Sequence, residues 1–218
     1  MLRHSQNSNL VIHNEQSYRG LLIQVDKGPF IRQHLERLHA TIGHALEQHA
    51  RVFAFRVDLR FSAALEQCGD EYTNQVFERF IASFKAKIRH NRNMARMENK
   101  YAHDSSVRYI WAREVGQYGK PHYHVVLFLN YDAFNVLGKF ESGRDNIFNR
   151  LQQAWASALR CPVEAVRGLV EIPSNPSYYL RRDDPQSVRS FFYRASYLCK
   201  VATKVYGSGQ HGFGSSRV

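Results

Sequence analysis

The stretch Glu114-Val-Gly-Gln-Tyr-Gly-Lys-Pro-His-Tyr-His124, followed by Val125-Val-Leu-Phe-Leu129, decides how the rest of this 218-residue chain is read. The β-branched and apolar run after His124 reads as a buried strand that begins at His122. Side chains alternate along a strand, so His122 and His124 leave the same face and Tyr123 turns to the other. Upstream, Ser106 to Glu114 has the same strand character, and Gln117-Tyr-Gly-Lys-Pro121 has the Gly and Pro of a turn. Together they predict an antiparallel hairpin that returns the Glu114 carboxylate to the side of the two imidazoles. A His, His, Glu set suits a divalent ion with open positions, and Mg²⁺, Mn²⁺ and Zn²⁺ are all chemically allowed. In a chain with eleven histidines a His-x-His pair arises readily by chance. The carboxylate across the hairpin is what sets a metal site above two polar residues at a strand mouth.

A second element bears on that choice. Phe191 to Val205 has helical period, with Phe191, Ala195, Leu198, Ala202 and Val205 on one apolar stripe. Tyr193, Tyr197, Lys200 and Lys204 repeat at the same spacing on a stripe nearly opposite. Tyrosines on the polar side of such a helix are poorly placed to be core aromatics.

In this order, Glu114, His122-Tyr-His124 and Tyr193-Arg-Ala-Ser-Tyr197-Leu-Cys-Lys200 resemble the HUH endonucleases. Within them the chain is most similar to the rolling-circle replication initiators (Rep) of inovirus-type filamentous phages and prophages. The first motif of that family, an apolar strand, is matched loosely by Val52 to Phe61, and the resemblance covers residues 51 to 205. Relaxases share the histidine motif but place their tyrosine ahead of it, which argues against them.

The resemblance implies a sheet of five strands around a central His-x-His strand. It also implies cleavage of one DNA strand by tyrosine, leaving a 5′-phosphotyrosine and a free 3′-hydroxyl. Tyr197 is then the principal nucleophile because it carries the Tyr-x-x-Lys relation to Lys200, and Tyr193 is either a second nucleophile or a packing residue. Glu114, His122 and His124 would hold Mn²⁺ or Mg²⁺. Three other readings stay open: a non-catalytic DNA-binding regulator on the same fold, a single-tyrosine transposase of the same superfamily, and a zinc hydrolase.

Composition is consistent with a nucleic-acid partner. There are 30 Lys and Arg against 19 Asp and Glu, a formal charge of +11 with histidines neutral. That excess suits a polyanion, and with no transmembrane run or secretory leader, single-stranded or hairpin origin DNA is favoured over a membrane. Cys68, Cys161 and Cys199 are scattered and odd in number, which points to a reducing bacterial cytoplasm without structural disulfide or zinc. No Gly-x-x-x-x-Gly-Lys-[Ser/Thr] phosphate loop occurs, so a replication initiator of this kind would need a separate helicase and a DNA polymerase.

The remaining chain divides into residues 1–50 as an amino-terminal helical extension packed on the domain, 51–205 as the endonuclease domain, and 206–218 as a flexible tail. Near Leu21 to Val25 a short strand is expected, then a helix from Pro29 with Ile31, Leu35, Leu38, Ile42 and Leu46 inward. His34, His39, His44 and His49 share no face on that helix and are read as solvated. Arg51 to Phe61 alternates, with Phe53, Phe55, Val57, Leu59 and Phe61 on a core face and Arg56, Asp58 and Arg60 on a charged one. The charged face either borders the metal or touches phosphates; Asp58 is read as a member of a solvated ion pair.

Asp70 caps an expected long helix carrying Tyr72, Val76, Phe77, Phe80, Ile81, Phe84 and Ile88, with a basic end from Lys85 to Lys100. Ile147 to Leu159 reads as a second covering helix and Val166 to Ile172 as a strand. Ser174 to Pro185 reads as a loop whose arginines either pair phosphates or pair Asp183 and Asp184. The cations expected against DNA are Arg56, Arg60, Lys120, Arg181, Arg182 and Lys204. The whole predicts an α+β domain with a mainly antiparallel sheet of the HUH/Rep, RRM-like kind, helices on one face and the active site on the other.

Overall fold

A computed structural model describes residues 2–62, 73–116, 120–204, 206 and 209–217. At its centre lies a six-stranded antiparallel sheet, whose strands alone are numbered here: β1 (Arg51–Arg60), β2 (Arg108–Val115), β3 (Pro121–Asn130), β4 (Val170–Glu171), β5 (Ser177–Arg181) and β6 (Phe213–Ser215). The order across the sheet is β5-β1-β3-β2-β6, and β4 pairs β1 past the end of β5. Four α-helices are present among the described residues: α1 (Arg32–Gln48), α2 (Gln75–Glu98), α3 (Ile147–Leu159) and α4 (Pro185–Ala195). The class is therefore α+β.

The β2–β3 hairpin is in the expected register, with Glu114 opposite His122 and Ala112 opposite His124. β1 lies on the other side of β3 and places Asp58 opposite His124 and Arg60 opposite His122. Directly opposed residues share a face, so Asp58, His122, His124 and Glu114 emerge together.

Both faces are covered. On one, the alternate residues Phe53, Phe55, Val57, Leu59, Tyr123, Val125, Leu127 and Leu129 pack under α2 and α3 through Phe77, Phe80, Phe84, Leu151 and Trp155. On the other, Val52, Ala54, Ile110, Val126 and Phe128 pack under α1, α4 and the turn after α4 through Leu35, Leu38, Phe191, Phe192 and Leu198. The expectation of helices on a single face is thus corrected. α1 is a full layer of the core, because its apolar positions Leu35, Leu38, Ile42 and Leu46 all find the sheet or α4.

Other boundaries move as well. The strand expected near Leu21 is the two-residue Leu21–Leu22, followed by a 3₁₀ turn Val25–Lys27, and Arg3–His4, Asn7–His13 and Phe30–Ile31 make a separate three-stranded sheet. The fifth and sixth strands come from the segments read as loop and tail. β5 is held because Leu180 is buried and its backbone pairs Arg51 to Phe55. β6 is held because Phe213 stacks on His34, ring centroids 4.1 Å apart, and Gly214 lies so close to Trp111 that a Cβ there would fall 2.6 Å from the indole Nε1. A domain boundary at 205 would separate β6 from the sheet it completes.

His34 is buried rather than solvated for the same reason, while His39, His44 and His49 are half-buried. The expected strand 166–172 is reduced to β4 after a 3₁₀ turn at Val163–Val166. Asp70, Tyr72, Cys68, Val205 and the turn 117–119 lie outside the described residues.

Candidate metal centre and tyrosine site

The hairpin register delivers the three expected ligands to one place. One donor atom from each of Glu114, His122 and His124 falls within 4.8 Å of the others. The two imidazole Nε2 atoms are 3.2 Å apart, and Glu114 Oε2 lies 3.5 Å from His124 Nε2. Ligand bonds of about 2.1 Å put neighbouring donors about 3 Å apart around a small divalent cation, so the spacing fits. Glu114 Oε1 is buried and meets no donor at hydrogen-bond distance among the described residues, an acceptor that costs stability unless a cation or donor meets it. The residues present therefore fit a divalent ion, with two nitrogen donors and one carboxylate.

Behind the ligands stands a residue read from sequence as a surface ion pair. Asp58 Oδ1 is 2.8 Å from His124 Nδ1, and Arg56 grips both carboxylate oxygens at 3.0 Å. Arg56 Nη2 also sits 2.9 Å from His124 Nδ1. Both contacts cannot be hydrogen bonds, because one needs a proton on Nδ1 and the other a lone pair. Asp58 is the nearer, and as a carboxylate it can only accept, so the proton belongs on Nδ1. That tautomer leaves Nε2 bare toward His122 and Glu114.

The electrostatics of the cluster by itself favour a proton on His124 Nε2 as well, the proton that a cation held there would displace. Burial alone would raise the Asp58 carboxyl, but the His124 hydrogen bond and charge, with Arg56, hold it below its ordinary value. Glu114 is likewise pushed up by burial, yet its polar contacts with His124 and then the Thr203 side chain, followed by the charges of His124 and Lys204, hold it down at about 2. His124 is penalised by burial and still raised by its bonds to Asp58 and Glu114. His122 is lowered, by burial first and then by the charge on His124.

A family model of the YagK/YfjJ C-terminal domain matches residues 13–216, a span that takes in every one of these side chains. The chain belongs to that family. It is similar to YfjJ of Escherichia coli (strain K12), 30% identical over 200 residues, which cover 87% of this chain and 96% of YfjJ. It is also similar to YagK of the same strain, 31% identical over 199 residues, covering 88% and 95%. Both relatives are described as uncharacterised. No solved structure matches the chain.

In this YagK/YfjJ domain the tyrosine segment differs in shape from the sequence expectation. α4 begins at Pro185, with the Asp184 side chain accepting from the Gln186 and Ser187 N–H groups, and it ends at Ala195. Ser196–Cys199 continue as a 3₁₀ turn, and Ala202 is exposed. In a 3₁₀ turn residues three apart eclipse, which stacks Lys200 on Tyr197. The Lys200 ammonium lies 2.5 Å from Tyr197 Oη and 3.1 Å from Glu114 Oε2. Tyr197 is half-buried, its ring centroid 6.1 Å from that of His124 and 5.5 Å from the Arg56 guanidinium. Tyr193 is one turn back and exposed.

The residues expected against DNA take several positions. Arg56 is committed to Asp58, and Arg60 is exposed and paired with Glu171 at 2.6 Å. Arg181 is exposed and paired with Asp183. Arg182 donates to the Leu46 and Glu47 carbonyls at the end of α1. Lys120 is exposed beside the hairpin turn. Lys204 is buried, donates to the Lys200 carbonyl at 2.7 Å, and is pulled down by that burial to about 8. It supports the Lys200 backbone and is not on the surface.

Proposed function

We propose that the chain is a metal-dependent, HUH-type nicking and joining endonuclease that acts on single-stranded or hairpin DNA through Tyr197, in the manner of a rolling-circle replication initiator. One observation carries this reading: Lys200 bridges the Tyr197 phenol to the Glu114 carboxylate of a convergent His, His, Glu set. A structural tyrosine needs neither a buried ammonium on its hydroxyl nor a metal-ready cluster beyond it.

Glu114, His122 and His124 would hold the ion, and the two imidazoles favour Mn²⁺ over Mg²⁺. When bound, such an ion supplies Lewis acidity to a phosphoryl oxygen. The rest falls to the chain. Asp58 and Arg56 fix the His124 ring and its tautomer. Lys200 donates to Tyr197 Oη, so it stabilises the oxyanion that an ordinary phenol, with pKa near 10, gives up reluctantly at neutral pH. The Tyr197 O–P bond forms as the P–O3′ bond breaks; the phenolic proton passes to solvent and the departing 3′ oxygen takes one up. The phosphotyrosine conserves the bond energy, so a 3′-hydroxyl can reverse the step without ATP.

The test is incubation with single-stranded DNA and Mn²⁺, followed by denaturing electrophoresis and peptide mapping. A denaturant-resistant adduct at Tyr197 is expected. Tight DNA binding with no adduct under any divalent ion would leave a non-catalytic DNA-binding regulator in its place.

A further inference from the structure

The tyrosine turn is fixed by a residue outside the tyrosine motif. In a continued α-helix the Tyr193 carbonyl would accept from the Tyr197 N–H and the Arg194 carbonyl from that of Leu198. Both carbonyls are taken instead by the buried Gln24 side chain, whose Nε2 donates to Tyr193 O at 3.1 Å and to Arg194 O at 2.9 Å. The Gln24 backbone N–H donates to Ser196 Oγ at 3.1 Å, and that hydroxyl donates to Tyr193 O at 2.7 Å. Beyond the turn, the Val201 N–H donates to Pro29 O at 2.8 Å, and Phe30 forms an isolated antiparallel bridge with Lys200. Residues 24–30 therefore bracket the turn at both ends.

The helical period of the sequence runs on to Val205, so the apolar pattern of the tyrosine segment does not by itself end α4 at Ala195. We propose that Gln24 is a positioning residue for the nucleophile: by occupying the Tyr193 and Arg194 carbonyls it diverts the chain into the 3₁₀ turn that sets Lys200 against Tyr197 Oη. The consequence for catalysis rests on the nuclease reading, while the positioning itself does not. The amino-terminal segment then completes the site, and a chain shortened to residues 51–205 would lack it.

Gln24→Met keeps the side-chain length and removes both donors. The full chain, labelled in its tyrosines and lysines, is studied by NMR for the Overhauser effect between the Lys200 side chain and the Tyr197 ring, assigned with Tyr197→Phe. That effect is expected in the parent and absent in Gln24→Met. Single-turnover adduct formation on randomised single-stranded oligonucleotides with Mn²⁺ should fall about ten- to a hundred-fold, the scale of a displacement near 1 Å, with DNA affinity unchanged. An Overhauser effect that persists in Gln24→Met, together with an unchanged rate, overturns the proposal. Its disappearance in Gln24→Met when even the parent makes no adduct upholds the positioning and removes the nuclease reading. Should Gln24→Met not fold, Gln24→Ala, which also removes both side-chain donors, is read for the same effect, and its persistence unweakened overturns the proposal.

Discussion

The two faces of the sheet are made by the same three long strands and are stabilised in opposite ways. Under α2 and α3, β1 and β3 present Phe53, Phe55, Val57, Leu59, Val125, Leu127 and Leu129 to a layer of aromatic rings. Tyr123, buried on the same face, donates its hydroxyl to Thr73 O and Asn74 Oδ1. The other face starts the same way, with Val52, Ala54 and Phe128 under α1 and α4, but one end of it carries Asp58, Glu114, His124 and Lys200, all buried. Burial of apolar area stabilises the first face at about 25 cal/mol per Å². Buried ion pairs seldom do better than apolar residues of the same volume, because desolvation cancels much of their attraction. The polar end therefore sits where stability alone would have placed leucines, and beyond their mutual pairing one donor atom from each of Glu114, His122 and His124 converges on one place. That contrast separates what holds the fold from what the fold holds.

Substitutions on the two faces should accordingly fail in different assays. The largest effect is on chemistry: Tyr197→Phe should abolish the covalent DNA adduct while leaving the melting temperature and DNA affinity near those of the parent, and His122→Ala should do the same with loss of Mn²⁺ binding by calorimetry. An adduct persisting in Tyr197→Phe with Tyr193 also replaced would remove the assignment. Next comes Phe80→Ala, which empties a fully buried ring site against Phe84 and Trp155. It should cost about 3–5 kcal/mol in urea unfolding and leave Mn²⁺ affinity unchanged in the folded fraction. Smaller again is Asp58→Asn, which keeps the shape but weakens the hold on His124 Nδ1; Mn²⁺ affinity should fall about 10- to 100-fold with little change in unfolding. If Asp58→Asn binds Mn²⁺ like the parent, Asp58 is only a structural ion pair.

What the sequence makes legible is whatever rests on a long period. The alternation in β1, the hairpin that opposes Glu114 and His122, and the apolar stripes of α1, α2 and α3 each repeat often enough to declare themselves. What it conceals is short or held from a distance. β5 has five residues, of which only Leu180 is fully inward, so its pattern cannot be told from a loop. β6 lies in a glycine-rich run whose composition reads as flexible, yet Gly214 is there because the Trp111 indole leaves no room for a side chain. The Asp184 cap and the first-turn Pro185 do announce the start of α4, a signal outweighed by the longer stripe further on. Asp58 is visible as a charge on the right face, but its role depends on which strand lies beside β1. The end of α4 is beyond reach, since Gln24, about 170 positions away, determines it.

The smallest effect concerns the seam between the two regimes, where His34 of α1 stacks flat on Phe213 of β6. Its Nδ1 is buried without a hydrogen-bond partner among the described residues. Burial first, then the nearby cations Lys204, Arg37 and His4, push its pKa well below that of a free imidazole. A histidine whose folded pKa is depressed is neutral in the fold and takes up its proton more readily when unfolded. Its contribution to stability is therefore complete above about pH 6.5, the ordinary imidazole value, and is lost as pH falls below that toward the folded pKa. One proton limits the slope to about 1.4 kcal/mol per pH unit. Every histidine of the unfolded chain takes up a proton in the same window, so the measurement is a difference: urea unfolding of the parent and of His34→Leu at a series of pH values from about 8 down to about 5. The parent should lose stability faster on acidification, and parallel curves would show that His34 is protonated without cost. A divergence that vanished when Phe213 was replaced would place the effect in the stacking that ties α1 to the edge of the sheet, on the side where the core is still apolar.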